Sequence, residues 1–351
     1  MTTGQPPPAA AASSVTADAT AERYPTPAEI LRGYDPFAVA ALEPYGFSRD
    51  ARLSLLSLSE NATYRVDDAD GRVAVLRVHR TGYHQPGAIQ SELAWLTALR
   101  RDEGLRTPEV YYAPDGRQVV DVVLDGVCRQ TVLFELLPGT EPQADQLPAQ
   151  FEQLGEICAR MHRHARSWRP PADFVRFTWD FDACVGPAGR WGRWQDGIGV
   201  GPAELAVLGR AADVMRERLR RFGTSDDRFG LIHADMRLAN LLVHGPDIHV
   251  IDFDDCGFGW FMFDIGSSVS FIEHEPQVPA LCAAWLSGYR RVLDLPEQDA
   301  DEIPTFVLLR RLQLVAWVGS HKFADAAREL GADFTAGACE LAERYLAQPR
   351  A

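Results

Sequence analysis

His233-Ala-Asp-Met-Arg-Leu-Ala-Asn240, then Leu241-Leu-Val243, a turn at Gly245-Pro246 and the returning run His249-Val-Ile-Asp-Phe-Asp254 form the stretch that decides how this chain is read. Two short apolar runs around a Gly-Pro turn read as a small β-hairpin. A hairpin at this place brings Asp252 back to the level of Asn240 and Asp235, so that three polar side chains converge. Their chemistry suits work on a polyphosphate. A hydroxyl nucleophile must be oriented and must lose its proton, and the Asp235 carboxylate can accept it. Mg2+ bridging a triphosphate takes few hard oxygen ligands from protein. Asn240 offers one neutral oxygen and Asp252 one charged oxygen.

Upstream of this stretch the signals are mostly those of strands. Leu53–Ser59 alternates partly, and Tyr64–Val66 leads into the turn Asp67-Asp-Ala-Asp-Gly71. Arg72–His79 reads as the returning strand of a hairpin. Pro86 opens a helix with apolar Ile89, Leu93, Leu96 and Leu99 on one face. Two further strands, around 118–124 and 127–137, meet at Asp125-Gly126 and end at Pro138-Gly139. After Pro142 the pattern turns helical: Phe151, Leu154, Ile157 and Met161 share a face, as do Leu205, Leu208, Ala212 and Met215 after Pro202. Helical sequence resumes from Pro279. The expected architecture is α+β in two lobes. Residues 1–25, rich in Thr, Gln, Pro, Ala and Ser, are expected to be a disordered tail. Residues 26–137 form a sheet lobe with one inserted helix, and 138–351 a larger, mainly helical lobe.

The composition narrows the function classes. The chain of 351 residues carries a net charge of -14, which argues against a nucleic-acid partner. No apolar run approaches the ~20 residues that span a bilayer. The six cysteines lack metal-site spacing and read as reduced thiols of a cytoplasmic protein. The run Gly197-Ile-Gly-Val-Gly201 has no apolar strand before it and reads as a flexible connection, not a dinucleotide loop. Lys322 is the only lysine; every other basic residue is arginine. Any cation in a site formed by the first 321 residues is therefore arginine or a protonated histidine.

The pattern H-x-D-x-x-x-x-N of 233–240, with Asp252-Phe253 after a short strand, resembles the catalytic loop and metal segment of kinases. Together with Glu135-Leu-Leu-Pro-Gly139, Leu154-Gly155 through Met161-His162 and Asp264-Ile-Gly266, it resembles the aminoglycoside phosphotransferase and choline kinase-like family over roughly 52–270. The resemblance implies a protein-kinase-like fold with ATP between the lobes. Asp235 would be the catalytic Asp, Asn240 and Asp252 the Mg2+ ligands, and Asp264 a brace for the loop. Departures are Ala234 where Gly is common, Asp254 as third residue of the metal segment, and Arg77 where a lysine is expected. Arg77 has Glu92 as its expected partner; the alternative for Glu92 is an exposed helix edge.

Ser59–Thr63, with Asn61, is either a phosphate-covering loop or a plain hairpin turn. The linker with Glu135 and Leu137 offers backbone groups to adenine. Arg237 either points to the γ-phosphate or pairs with a surface carboxylate. Asp254, Asp255, Glu273 and Glu275 with Trp260, Phe261 and Phe263 suggest a cationic acceptor, or else belong to turns, solvent and core. His162 and His164 read as structural, and His233 as a loop-positioning residue rather than an acid or base. The implied activity is ATP- and Mg2+-dependent phosphorylation of a hydroxyl on a small molecule such as an amino alcohol, amino acid, sugar or aminoglycoside. The alternatives are a serine/threonine protein kinase of the stress response kinase type, which Leu308–Trp317 faintly suggests, and a nucleotide-binding pseudokinase.

Overall fold

The structure, a computed structural model, describes residues 27–348 except Glu60 and Phe323. The expected tail, 1–25, lies outside the described residues. Helices α1 (Pro27–Leu31) and α2 (Asp35–Leu42) precede β1 (Arg52–Leu58), β2 (Ala62–Asp67) and β3 (Val73–Val78). Then come α3 (Ala88–Glu103), β4 (Val110–Tyr111), β5 (Val119–Leu124) and β6 (Val127–Phe134). The sheet runs β1-β2-β3-β6-β4, with β5 also on β6, and every pairing is antiparallel. One face carries Tyr64, Val66, Ala74, Leu76, Val120 and Leu133 against Phe37, Ala38, Ala41 and Leu42 of α2. The sequence reading missed α2. Its apolar residues are too dense for a clear helical period, and the sheet it covers supplies its stability.

The second lobe is helical: α4 (Leu147–Ser167), α5 (Phe181–Val185), α6 (Pro202–Phe222), α7 (Phe263–Ser268), α8 (Val278–Arg290), α9 (Glu297–Ala300), α10 (Ile303–Ser320) and α11 (Asp325–Leu346). Short strands β7 (Thr178–Trp179), β8 (Phe229–Ile232), β9 (Leu241–His244), β10 (Asp247–Val250) and β11 (Gly257–Trp260) frame the site. The expected hairpin is β9–β10, with Val250 opposite Leu241.

Helices α4 and α8 cross on glycines. A Cβ at Gly155 would lie 1.9 Å from the Trp285 carbonyl oxygen, and one at Gly288 would lie 1.8 Å from that of Glu152. No side chain fits there, so the two backbones touch. Helix α10 is buried almost all round, as befits a helix through the middle of a lobe. Helix α3 follows the sheet strands in sequence, yet its Ile89, Leu93, Trp95, Leu96 and Leu99 pack into the large core with α4 and Phe253. Trp95 meets Phe253 edge-on at 5.8 Å.

Two expectations need correction. Leu205 lies on the exposed side of α6, unlike Leu208, Ala212 and Met215. The Gly197–Gly201 run is not loose. A Cβ at Gly197 would meet Val315 Cγ1 at 2.6 Å and one at Gly199 would meet Ala332 Cβ at 2.7 Å, so the glycines let the chain pass close to α10 and α11.

Candidate active site

Strand β8 delivers the chain to residues 233–240 at the cleft between the lobes. The loop is set by Asp264, wholly buried at the start of α7. Its Oδ1 accepts the Ala234 N–H at 2.8 Å and its Oδ2 the His233 N–H at 3.2 Å. The same Oδ2 lies 3.0 Å from His162 Nε2, and His162 Nδ1 lies 3.0 Å from the Tyr289 hydroxyl. Ser267 Oγ accepts the Met236 N–H. With two amides thus fixed, Ala234 adopts φ 68°, a left-handed conformation that explains why glycine suits this place. His233 is buried, and burial pushes its pKa down, toward the neutral ring. Its Nε2–H donates to the Ile251 carbonyl, and Nδ1 accepts the Asp235 N–H. It orients the loop, as expected.

Asp235 stands at the floor of the cleft. Its Oδ2 accepts from Asn240 Nδ2 at 2.7 Å and from Arg237 Nε at 3.2 Å, while Oδ1 is bound by the Arg310 guanidinium. Burial works against its charge, but Arg310 and Arg237 hold the carboxyl below its ordinary range. Arg237 therefore stays in the cleft. Its guanidinium lies beside Asp235 and lines the cavity. Asn240 also donates to the Asp235 carbonyl at 2.8 Å. With its amide nitrogen so used, its side-chain oxygen is the atom left for a cation. The Ile251 N–H bonds the Asn240 carbonyl and closes the hairpin, bringing Asp252 alongside.

Asp252 has φ 61° and a side chain 46% exposed to the cleft. Enclosure raises its pKa and Arg77 lowers it; Asp254, Asp235 and Glu92 add repulsion, and the balance lies at about 6. Water in the open cleft tempers that rise. One anionic and one neutral hard oxygen fit Mg2+, and the crowd of carboxylates favours a cation there.

Arg77 binds Glu92, which is wholly buried, and reaches Asp252 at 3.2 Å. The expected pair is present, and Glu92 is not an exposed helix edge. The guanidinium also stands 5.0 Å over Phe134 at the end of β6. Asp254 does not enter the cleft. Its carboxylate accepts from His84 Nε2 at 2.8 Å and lies 3.4 Å from His79 Nδ1. Although burial opposes its charge, these imidazoles hold Asp254 well below the usual carboxylate range. Next to it, the Tyr83 hydroxyl donates to Asp255. Arg176 reaches the carbonyls of Asp254, Cys256 and Ala88.

Other expected site residues are placed elsewhere. Asn61 is buried and its Oδ1 accepts the Arg80 N–H at 3.0 Å, so it ties two strand ends together; Ser57, Leu58 and Ser59 face the cavity instead. The Glu135 side chain accepts the Glu109 N–H and lies 3.4 Å from Arg100, and its own N–H goes to the Glu109 carbonyl. That amide is committed to the sheet edge. Leu137 is half-buried in the extended linker. Glu273 is buried against Arg311, Glu275 is partly exposed, and Trp260, Phe261 and Phe263 are core. Of the acidic and aromatic set expected near the acceptor, Asp255 alone lines the cavity beside Asp235.

That cavity measures roughly 660 Å³, and Trp191, Phe271, Leu314 and Trp317 supply its apolar wall. Sequence reasoning missed Arg310. A charge inside an otherwise apolar helix was itself the signal, since such a group needs a buried partner.

The sequence profile of a family described as "Phosphotransferase enzyme family" matches residues 53–295. A solved structure of a microcompartment-associated aminopropanol kinase is 48% identical, with a TM-score of 0.83, over 89% of this chain and 97% of its own. The amicoumacin kinase of Bacillus subtilis (strain 168) is 26% identical over 282 residues, 76% of this chain and 80% of that protein. An amicoumacin kinase solved with AMP-PNP, Ca2+ and its ligand shares the fold, with a TM-score of 0.73 at 24% identity over 91% of this chain and 95% of its own.

Proposed function

The chain belongs to the phosphotransferase enzyme family, and on that premise we propose that this kinase moves the γ-phosphoryl group of ATP, with Mg2+, to the hydroxyl of a small amino alcohol. The observation that carries the reading is the convergence of Asp235, Asn240 and Asp252, held by Asp264 from below and by the Ile251–Asn240 bond from the side.

Each residue's part follows from its contacts. Asp235 orients the acceptor hydroxyl and takes its proton. Its low proton affinity suits a loose transition state, in which little negative charge builds on the attacking oxygen. Asn240 and Asp252 would hold Mg2+, which neutralises phosphate charge when bound. Arg77 keeps Asp252 in place and fixes α3 through Glu92. Arg237, one-third exposed beside Asp235, can turn toward the phosphoryl group and offset its charge.

The acceptor class rests on the cavity and on the relative that is 48% identical and named for aminopropanol. An ammonium group would find the Asp255 carboxylate and the faces of Trp191 and Trp317. A pocket of this size with an apolar wall suits a small molecule better than an extended peptide. The test is ATP consumption across 1-amino-2-propanol, ethanolamine, sugars, aminoglycosides and a generic protein, with Asp235→Asn as the blank. Turnover with amino alcohols that vanishes in the blank is expected. Turnover only with the protein, or equal turnover in the blank, overturns the reading.

A further inference from the structure

Helix α10 places a buried cation directly on the carboxylate at the centre of the site. Arg310 is 1% exposed. Its Nε donates to Ser270 Oγ at 3.1 Å, one terminal nitrogen reaches Gln313 Oε1 at 3.2 Å and the Ala234 carbonyl at 3.4 Å, and the other binds Asp235 Oδ1. The guanidinium stands 4.9 Å over Trp191. Arg310, Leu314 and Trp317 fall on one helical face, and all three line the cavity.

The two oxygens of Asp235 are thus held by unlike cations. The one on Oδ1 is buried and anchored at four points. The one on Oδ2, Arg237, is one-third exposed on a loop. A buried ion pair is poor value for stability compared with apolar packing. A group so fully anchored, and aimed at one oxygen of the reacting carboxylate, has a geometric use.

We propose that Arg310 is a positioning residue for phosphoryl transfer: it pins Asp235 Oδ1 so that Oδ2 is presented to the acceptor hydroxyl, which takes over the contact now made by Arg237. The inference rests on Asp235 being the proton acceptor. In the step, the acceptor oxygen forms a bond to the γ-phosphorus and its proton passes to Oδ2. The bond from that phosphorus to the bridging oxygen breaks, and its electron pair leaves with ADP. Arg310 touches none of the reacting atoms. It removes the rotation by which the carboxylate would otherwise turn its other oxygen to the substrate, an orientational effect of the kind that controls reaction rate.

The experiment is a double-mutant cycle on Arg310→Met and Asp235→Asn, read as ATP turnover with water as acceptor, which needs no acceptor's identity. AMP-PNP affinity is followed by tryptophan fluorescence. Arg310→Met in the wild-type background should lower kcat about thirtyfold, with AMP-PNP affinity and KM for ATP within about threefold, a size in the usual range for lost orientation. In the Asp235→Asn background the same change should cost less than about twofold, because its target is gone. Arg310→Lys should recover part of the loss.

Should Arg310→Met fail to fold, Ser270→Ala, which removes one anchor and keeps the guanidinium, should lower kcat about three- to tenfold at unchanged KM. An equal loss in both backgrounds, unchanged kcat in Arg310→Met, or unchanged kcat in Ser270→Ala overturns the inference while leaving Asp235 in its role. Full activity in Asp235→Asn instead removes the reading on which it rests.

Discussion

Replacing Arg77 by Met should expose how much of the sheet lobe depends on one ion pair. Glu92 has no exposed surface, and Arg77 is its cation. Removing one partner of a buried pair leaves an uncompensated charge, at a cost of about 3–5 kcal/mol. The reverse replacement, Glu92→Met, should cost less, about 1–3 kcal/mol, because Arg77 keeps Asp252 at 3.2 Å. The pair is also incompletely satisfied: Arg77 Nε and Glu92 Oε2 make no hydrogen bond among the described residues. Its desolvation is therefore only partly recovered, and the double variant should lie within about 1 kcal/mol of the parent, with a coupling energy of 2 kcal/mol or more in the range seen for contacting residues. Urea midpoints followed by tryptophan fluorescence supply the numbers. The double variant should be stable but slow in phosphoryl transfer, since Asp252 has lost its positioning cation. A cost below about 1 kcal/mol for Arg77→Met, or strict additivity in the double variant, would refute the claim that burial makes each partner depend on the other.

Four more outcomes follow from the loop and the metal segment. Ala234→Gly should keep kcat and change stability by no more than about 1 kcal/mol, since glycine relieves the left-handed φ of 68° but has more freedom to lose on folding. Ala234→Val should lose both activity and melting temperature, the branched side chain being confined there. Asp252, with its pKa near 6, is a proton competitor for the cation. A raised carboxylate pKa means the proton wins as pH falls, so the Mg2+ concentration needed for half-maximal nucleotide binding should rise about tenfold between pH 7 and pH 5. Asp252→Ala should remove the dependence on Mg2+ altogether, and a flat pH response in the parent would mean that another group binds the ion.

The parts of the site that could be read from sequence share one property: their spacing is imposed by the local chain. Asp235, Asn240 and Asp252 sit on one loop and one hairpin, so two turns fix their relation. Glu92 could be paired with Arg77 because strand and helix are close in sequence and the helix phase turns Glu92 inward. What stayed hidden depends on contacts across long sequence distances. Arg310 reaches Asp235 across 75 residues, and Tyr83 and His84 reach Asp255 and Asp254 across about 170. Nothing periodic announces such contacts. The direction of Asn61 stayed hidden for a related reason. It occupies the expected segment, but the hydrogen bond that fixes its direction comes from the Arg80 N–H beyond the neighbouring strand.

The reach of Tyr83 and His84 has a mechanical consequence. The two lobes are joined through the 135–139 linker, through the contact of Arg77 with Asp252, through α3 packed into the large core, and through the 79–84 loop, whose side chains hold Asp254 and Asp255. A body attached to another at one point can swing in any direction. Attached at several places off one line, it keeps no free rotation at all. The sheet therefore cannot lift off the catalytic loop as a jaw would unless several of these contacts, His84 with Asp254 among them, let go together. A cleft braced in this way keeps its width when it is empty, so nucleotide and acceptor meet a slot already shaped rather than one that closes around them.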